Sequence, residues 1–307
     1  MKHVIERVAL RRTTAVINGK GGVGKTSVTA NLAGLYAAAG YRVLAIDLDP
    51  QGNLGNDLGY LGAGMSDDGR ALQQAAAAGE PLVPVTAVRP NLDVVPGGDQ
   101  LHDLAAVLQS RRLTGRGGVE SLAASISAVA GNYDLVLIDC PPGSDVLQAG
   151  ALEAAHFVLV PTKTDDASRA GLREVARRFT TARQANPDLL LLGVVLFGVN
   201  SSARRVVGNA RVALADDLGG VAPVLDATIR HVEAAAVDAR GRGQLVHELE
   251  RDLHASPKWY ERLRNPGNTP VEALAGSAGA LAEDYQRLAE EVLRRIQDAE
   301  LSVPVSA

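Results

Sequence analysis

The strongest constraint in this chain is a turn of eight residues, Gly19-Lys20-Gly21-Gly22-Val23-Gly24-Lys25-Thr26, half of them glycine. It lies between an apolar run at 14–18 and a helical pattern at 25–39. Glycines let the backbone curl sharply there, so a strand must end and a helix begin within a few residues. The same strand-then-helix alternation recurs along the chain. Ala15-Val16-Ile17, Val43-Leu44-Ala45-Ile46, Leu92-Asp93-Val94-Val95, Leu135-Val136-Leu137-Ile138, Phe157-Val158-Leu159-Val160 and residues 189–196 are short and nearly continuous in apolar character. Such runs suit parallel strands covered on both faces. Helical stretches at 25–39, 99–110, 119–130, 145–154, 168–185 and 203–217 separate them. The expected fold class is α/β, a doubly wound, mostly parallel sheet flanked by helices.

The alternation runs to about residue 250 without a linker, so residues 1–307 are expected to form one domain. Residues 252–271, with Pro257, Pro266, Gly267 and Pro270 around Trp259-Tyr260, read as an insertion or loop. A C-terminal helix is expected near 271–298, with Leu274, Leu281, Leu288, Val292 and Ile296 on one face. Aromatic residues are only 3% of the chain, so its core must be built from Ala, Val, Leu and Ile. The single cysteine, Cys140, excludes an internal disulfide framework and any Cys-rich metal site within one chain. No apolar run is long enough to span a membrane, and the N-terminus lacks a secretory pattern. A cytoplasmic location is therefore expected. The net charge of −4 argues against a dedicated nucleic-acid binder, leaving only a local patch for that purpose.

The turn at 19–26 fits G-x-x-x-x-G-K-[ST] in its proper place, after a strand and opening a helix. Its amides, on Gly21, Gly22, Val23, Gly24, Lys25, Thr26 and Ser27, can point inward at phosphates beside the positive end of the helix dipole. Lys25 supplies charge to the β- and γ-phosphates of ATP, and the Thr26 hydroxyl a ligand for Mg²⁺. Asp139 ends a buried run, where a carboxylate can hold Mg²⁺ through its water. Asp47 and Asp49 end another run in Asp47-Leu48-Asp49-Pro50-Gln51-Gly52-Asn53. Parallel strands present their C-terminal ends to one crevice, so these acids should converge on Lys25. Either is placed to orient an attacking water.

The extra lysine of Lys20-Gly21-Gly22-Val23-Gly24-Lys25-Thr26 marks a deviant Walker A motif. With Asp47 to Asn53, Asn91-Leu92-Asp93-Val94-Val95-Pro96 and Asp139-Cys140-Pro141-Pro142 in order, residues 13–250 closely resemble the ParA family of partition ATPases. The resemblance implies a P-loop NTPase fold, slow Mg-dependent ATP hydrolysis and an ATP-sandwich homodimer. It implies that Lys20 reaches the partner's phosphates, that Asp49 is the hydrolytic aspartate and that Asp47 sits near the metal with Thr26 and Asp139. Pro141, Pro142 and Gly143 resemble the switch that senses the γ-phosphate, and Asn200 the asparagine that contacts adenine. A trans lysine is physically reasonable, because two triphosphates facing each other in a water-poor interface would repel.

The resemblance further implies non-specific DNA binding, a nucleoid-associated location and a ParB-like centromere-binding partner that stimulates hydrolysis in plasmid or chromosome partition. Between Ala167 and Arg211 there are eight arginines against Glu174 and Asp188, a local positive excess that phosphate contacts could use. Arg204, Arg205, Arg211 and Arg230 are the candidate DNA contacts. Ile229-Arg230-His231 departs from the family's late basic motif, which has proline after the isoleucine. Only about a dozen residues precede the first strand, so sequence-specific DNA reading is not expected. The alternatives are a MinD-like ATPase cycling on membrane and an ATPase that positions a protein assembly. Against the first, Leu301-Ser302-Val303-Pro304-Val305-Ser306-Ala307 has no basic membrane-binding character. Cluster-bearing redox relatives need two cysteines per subunit, which this chain lacks.

Overall fold

Strand side chains alternate between faces, so the nearly continuous apolar runs supply two cores at once. The computed structural model describes residues 4–115, 117–200, 204–217, 223–255 and 277–302. Its strands are β1 (Thr13–Val16), β2 (Val43–Asp47), β3 (Val85–Arg89), β4 (Leu92–Val95), β5 (Leu135–Asp139), β6 (Phe157–Thr162), β7 (Leu190–Val199) and β8 (Val224–Arg230). They form one sheet in the order β3-β4-β2-β5-β1-β6-β7-β8. Every pairing is parallel except β3 with β4. The mostly parallel, doubly wound sheet is thus present, with β1 near its centre.

The helices are α1 (Lys25–Ala38), α2 (Leu54–Asp57), α3 (Arg70–Ala78), α4 (Leu101–Leu113), α5 (Val119–Ala130), α6 (Asp145–Ala154), α7 (Asp166–Ala185), α8 (Arg204–Asp217), α9 (Glu233–Arg242), α10 (Val246–Ala255) and α11 (Ala278–Ser302). On one face Ala15, Leu44, Ile46, Val136, Ile138, Val158 and Val160 meet Leu72, Leu104, Leu122, Leu147, Leu172 and Leu214 from α3 to α8. On the other, Val16, Val43, Ala45, Leu135, Leu137, Phe157 and Leu159 meet α1, α2, α9, α10 and α11. The odd–even split within each strand is the physical content of the continuous runs.

Residues 271–276 of the expected C-terminal helix lie outside the described residues, and helix α11 runs from Ala278 to Ser302. Its Leu281, Leu288, Val292 and Ile296 are buried, each worth roughly 1.5–3 kcal/mol of transfer free energy before entropy. Leu274 lies outside the described residues, as do Trp259 and Tyr260 and all of the expected insertion from 256 onward. Residues 252–255 complete α10 instead of opening a loop. Tyr36 donates from its hydroxyl to the Ala289 carbonyl at 3.0 Å, and Glu291 accepts the Asp226 and Ala227 amides at 3.1 and 2.8 Å. These bonds fix α11 against α1 and β8.

Candidate functional site

The register places Asp47 beside Asp139 at the C-terminal ends of β2 and β5, and Asp139 beside Val16 at the end of β1. The glycine loop leaves β1 at that same edge and enters α1 at Lys25. Gly21, Gly22, Gly24, Lys25, Thr26, Ser27, Asp49, Gln51, Asn53, Pro142, Phe197 and Arg240 enclose a cavity of about 310 Å³. Val23 is fully buried beneath the loop, while Gly143 turns the segment after Pro142 with φ +74°.

Gly24 carries φ +91°, and a Cβ there would lie 2.4 Å from the Phe197 ring on β7. Both the backbone and the packing therefore require glycine. Gly24→Ala is expected to destabilise the fold by about 2 kcal/mol or more, readable as a shifted urea midpoint. An unchanged midpoint would show that the loop adapts. Gly97, just after β4, is equally confined: a Cβ there would lie 2.7 Å from the Asp47 carbonyl oxygen.

Lys25 is almost fully buried, and its Nζ donates to the Lys20 carbonyl at 3.0 Å. Burial lowers its pKa, opposed by the nearby Asp139, Cys140 and Asp49. Asp47 accepts the Asp49 amide on Oδ1 at 2.9 Å and the Leu54 amide on Oδ2 at 3.2 Å, so it shapes the loop that carries Asp49. Asp49 in turn accepts the Gln51 amide at 2.9 Å. Burial, then repulsion between Asp47 and Asp139, pushes the Asp47 pKa well up. Asp139 is raised by burial as well, against the pull of Thr26 and Lys25. The Cys140 thiol, buried behind Asp139, is pushed up too and stays protonated.

Both Asp139 oxygens are buried without a hydrogen-bond partner of normal geometry among the described residues. An orphaned carboxylate beside a threonine hydroxyl fits a hydrated divalent cation, whose charge would relieve the crowding with Asp47. No group of three or more His, Cys, Asp or Glu side chains suited to a metal occurs among the described residues.

Lys20 faces outward, and its Nζ donates to Asp165 Oδ1 at 2.8 Å, just before α7. A second cavity of about 490 Å³ adjoins the first, sharing Ser27, Phe197 and Arg240. Ile229, Val232, Ala236, Leu281 and Tyr285 give it apolar walls. Asn200 follows β7, is exposed and does not line either cavity; Phe197 and Gly198 do so from the same strand. Sequence reasoning misses Gln51, Asn53, Phe197 and Arg240 as cavity residues. Only the proximity of Gln51 and Asn53 to Asp49 in the chain hints at two of them.

The arginines separate into two kinds. Arg230 is partly buried and paired: its Nε and Nη2 donate to Asp284 at 2.6 and 2.9 Å, and it lines the second cavity. Arg178, counted in the basic stretch, points inward to Asp145, Glu174 and Gln148. Gln148 donates in turn to the Pro141 carbonyl at 2.6 Å, which ties α7 to the Pro141–Gly143 segment. Arg211 donates to the Asp226 carbonyl at 2.7 Å and remains partly accessible. Arg205 is exposed on α8, and the Arg204 side chain lies outside the described residues. No helix among the described residues is long and apolar enough to cross a membrane.

A family model described as an AAA domain matches residues 11–191. The chromosome partitioning protein ParA of Caulobacter vibrioides is 35% identical over 251 residues, covering 78% of this chain and 88% of that protein. The sporulation initiation inhibitor protein Soj of Bacillus subtilis is 34% identical over 186 residues, 59% of this chain and 70% of its own length. Among solved structures, the Cyanothece McdA(D38A)–ATP complex superposes with a TM-score of 0.71 at 20% identity, covering 92% of this chain and 96% of that one. That likeness concerns the fold.

Proposed function

The chain belongs to the ParA family of chromosome-partitioning P-loop ATPases, and we propose that it is an Mg-ATP-gated dimer that holds DNA non-specifically and releases it on hydrolysis. The observation that carries this reading is the convergence of Lys25, Thr26 and Asp49 on one small glycine-lined cavity, with the buried Asp139 carboxylate behind Thr26 and Lys25 and with Lys20 ion-paired to Asp165.

Lys25 supplies the buried cation for the β- and γ-phosphates, and the loop amides supply the remaining donors. Thr26 and Asp139 would hold Mg²⁺, with Asp47 steadying the Asp49 loop behind them. Bound there, the ion would offset phosphate charge. Asp49 orients the water and accepts its proton. The apolar second cavity receives the base, beside Phe197 and Ile229. Lys20 exchanges Asp165 for the partner's phosphates when two subunits meet. Intrinsic turnover is slow until a ParB-like partner completes the alignment.

The deciding measurement is retention on non-specific duplex DNA with ATP, with ADP and without nucleotide. Retention with ATP alone supports the cycle; ATP turnover without retention in any state overturns the DNA step and turns attention to liposomes. Joint replacement of Arg204 and Arg205 by alanine is expected to weaken retention and flatten its salt dependence. Each lost phosphate contact should reduce the log–log slope by about 0.9. An unchanged slope would remove the N-terminal end of α8 from the DNA surface.

A further inference from the structure

Helix α9 brings an arginine to the lip of the nucleotide site. Arg240 lines both cavities, and its side chain is 51% exposed. Its Nε donates to Asp57 Oδ1 at 2.7 Å, while Asp57 Oδ2 accepts the Ser27 hydroxyl at 3.1 Å. Asp57 is itself buried, in the short helix whose first amide is held by Asp47. A buried carboxylate bonded to the first turn of α1 opposes any polyphosphate entering the glycine loop. Arg240 neutralises it through one nitrogen only. The two terminal nitrogens have no hydrogen-bond partner among the described residues, and a guanidinium fork is suited to paired oxygen acceptors.

The position narrows what those nitrogens meet. Lys25 marks the β- and γ-phosphate end, and the apolar cavity takes the base. Arg240 stands where the two spaces join, so the α-phosphate and ribose must pass it. We propose that Arg240, positioned by Asp57, is a nucleotide-binding residue that contacts the α-phosphate–ribose segment within its own subunit. This rests on the reading that ATP occupies the glycine loop. The contact is common to ATP and ADP, and so it sets affinity for both without sensing the γ-phosphate.

Calorimetric titration of the full chain with Mg-ATP and Mg-ADP tests it, using Arg240→Ala, Arg240→Gln and the double variant Asp57→Asn with Arg240→Ala. Both single variants should weaken ATP and ADP by a similar factor, about tenfold, as expected for losing a charged hydrogen bond. Arg240→Gln keeps most of the side-chain volume, which covers the case in which the alanine variant folds poorly. The double variant removes the opposing carboxylate and should stay weak. Recovery of wild-type affinity in the double variant would reduce Arg240 to a counter-ion and overturn the proposal. Loss confined to ATP, or affinities within twofold of wild type in both single variants, would overturn it as well. A wild-type chain that binds neither nucleotide would bring down the underlying ATP site together with it. Normal wild-type binding, with single variants that bind equally well, would remove the role of Arg240 alone and leave the ATP site standing.

Discussion

Lys25→Ala should abolish measurable ATP turnover and weaken Mg-ATP binding by about a hundredfold or more. Loss of a preorganised cation or donor at developing charge costs roughly 10²–10³ in rate, and a charged hydrogen bond adds about 1.5–3 kcal/mol to binding. Lys25 is buried at the head of α1, with Asp139 and Asp49 close enough to affect its charge. Removing it takes away the phosphate contact and leaves the carboxylates without their buried counter-charge. A second signature follows from those carboxylates. Asp47 and Asp139 have folded-state pKa values raised above their unfolded ones, chiefly by burial. Such groups favour the fold below the unfolded value near 4, and that contribution disappears as pH rises through the raised value. Lys25 opposes the rise at Asp139, so its loss widens the window. In metal-free buffer the variant should melt further below wild type at pH 8 than at pH 5. Normal turnover would refute the site; an equal melting deficit at both pH values would refute the electrostatic account of the acids.

The central sheet and the phosphate loop were legible because each rests on local pattern. Continuous apolar runs gave β1, β2, β4, β5, β6 and β7, and glycine spacing gave the loop. The edges were not legible. In β8, Leu225, Ala227 and Ile229 are buried while Asp226 is exposed, a one-sided alternation that is easily lost beside glycine and alanine. Strand β3 is largely accessible and antiparallel, and carries little apolar signal. Charge partners were invisible for a different reason. Arg230 finds Asp284 54 residues away, and Arg240 finds Asp57 183 residues away. Net charge along a segment counts such arginines as free, although the folded chain has already engaged them. The same long-range packing brings Phe197 from β7 against Gly24, which no spacing rule within either motif anticipates.

Asp49→Ala should bind Mg-ATP with affinity within about threefold of wild type yet hydrolyse it about 10²–10⁴ times more slowly, the range for loss of a general base. The residue stands on a loop whose shape does not depend on its carboxylate alone. Asp47 holds the Asp49 amide and the first amide of α2, and Gly97 packs against the backbone of the same segment. Only the bond to the Gln51 amide is lost with the side chain, so the cavity wall survives while the group facing the water does not. Asp49→Asn is the sharper control, since it retains an acceptor for Gln51 without a base. If hydrolysis is what separates the subunits, both variants should accumulate as dimers with ATP in light scattering and remain monomeric with ADP. They should also stay on DNA longer than wild type, because the step that ends the bound state has been removed. The contrast with Lys25 then orders the cycle: losing the lysine prevents entry into the ATP state, and losing the aspartate prevents exit. A monomeric Asp49→Ala chain at saturating ATP would break that order and take the sandwich dimer with it. Wild-type turnover in the variant would instead leave Asp47 to orient the water, against its two bonds to the backbone.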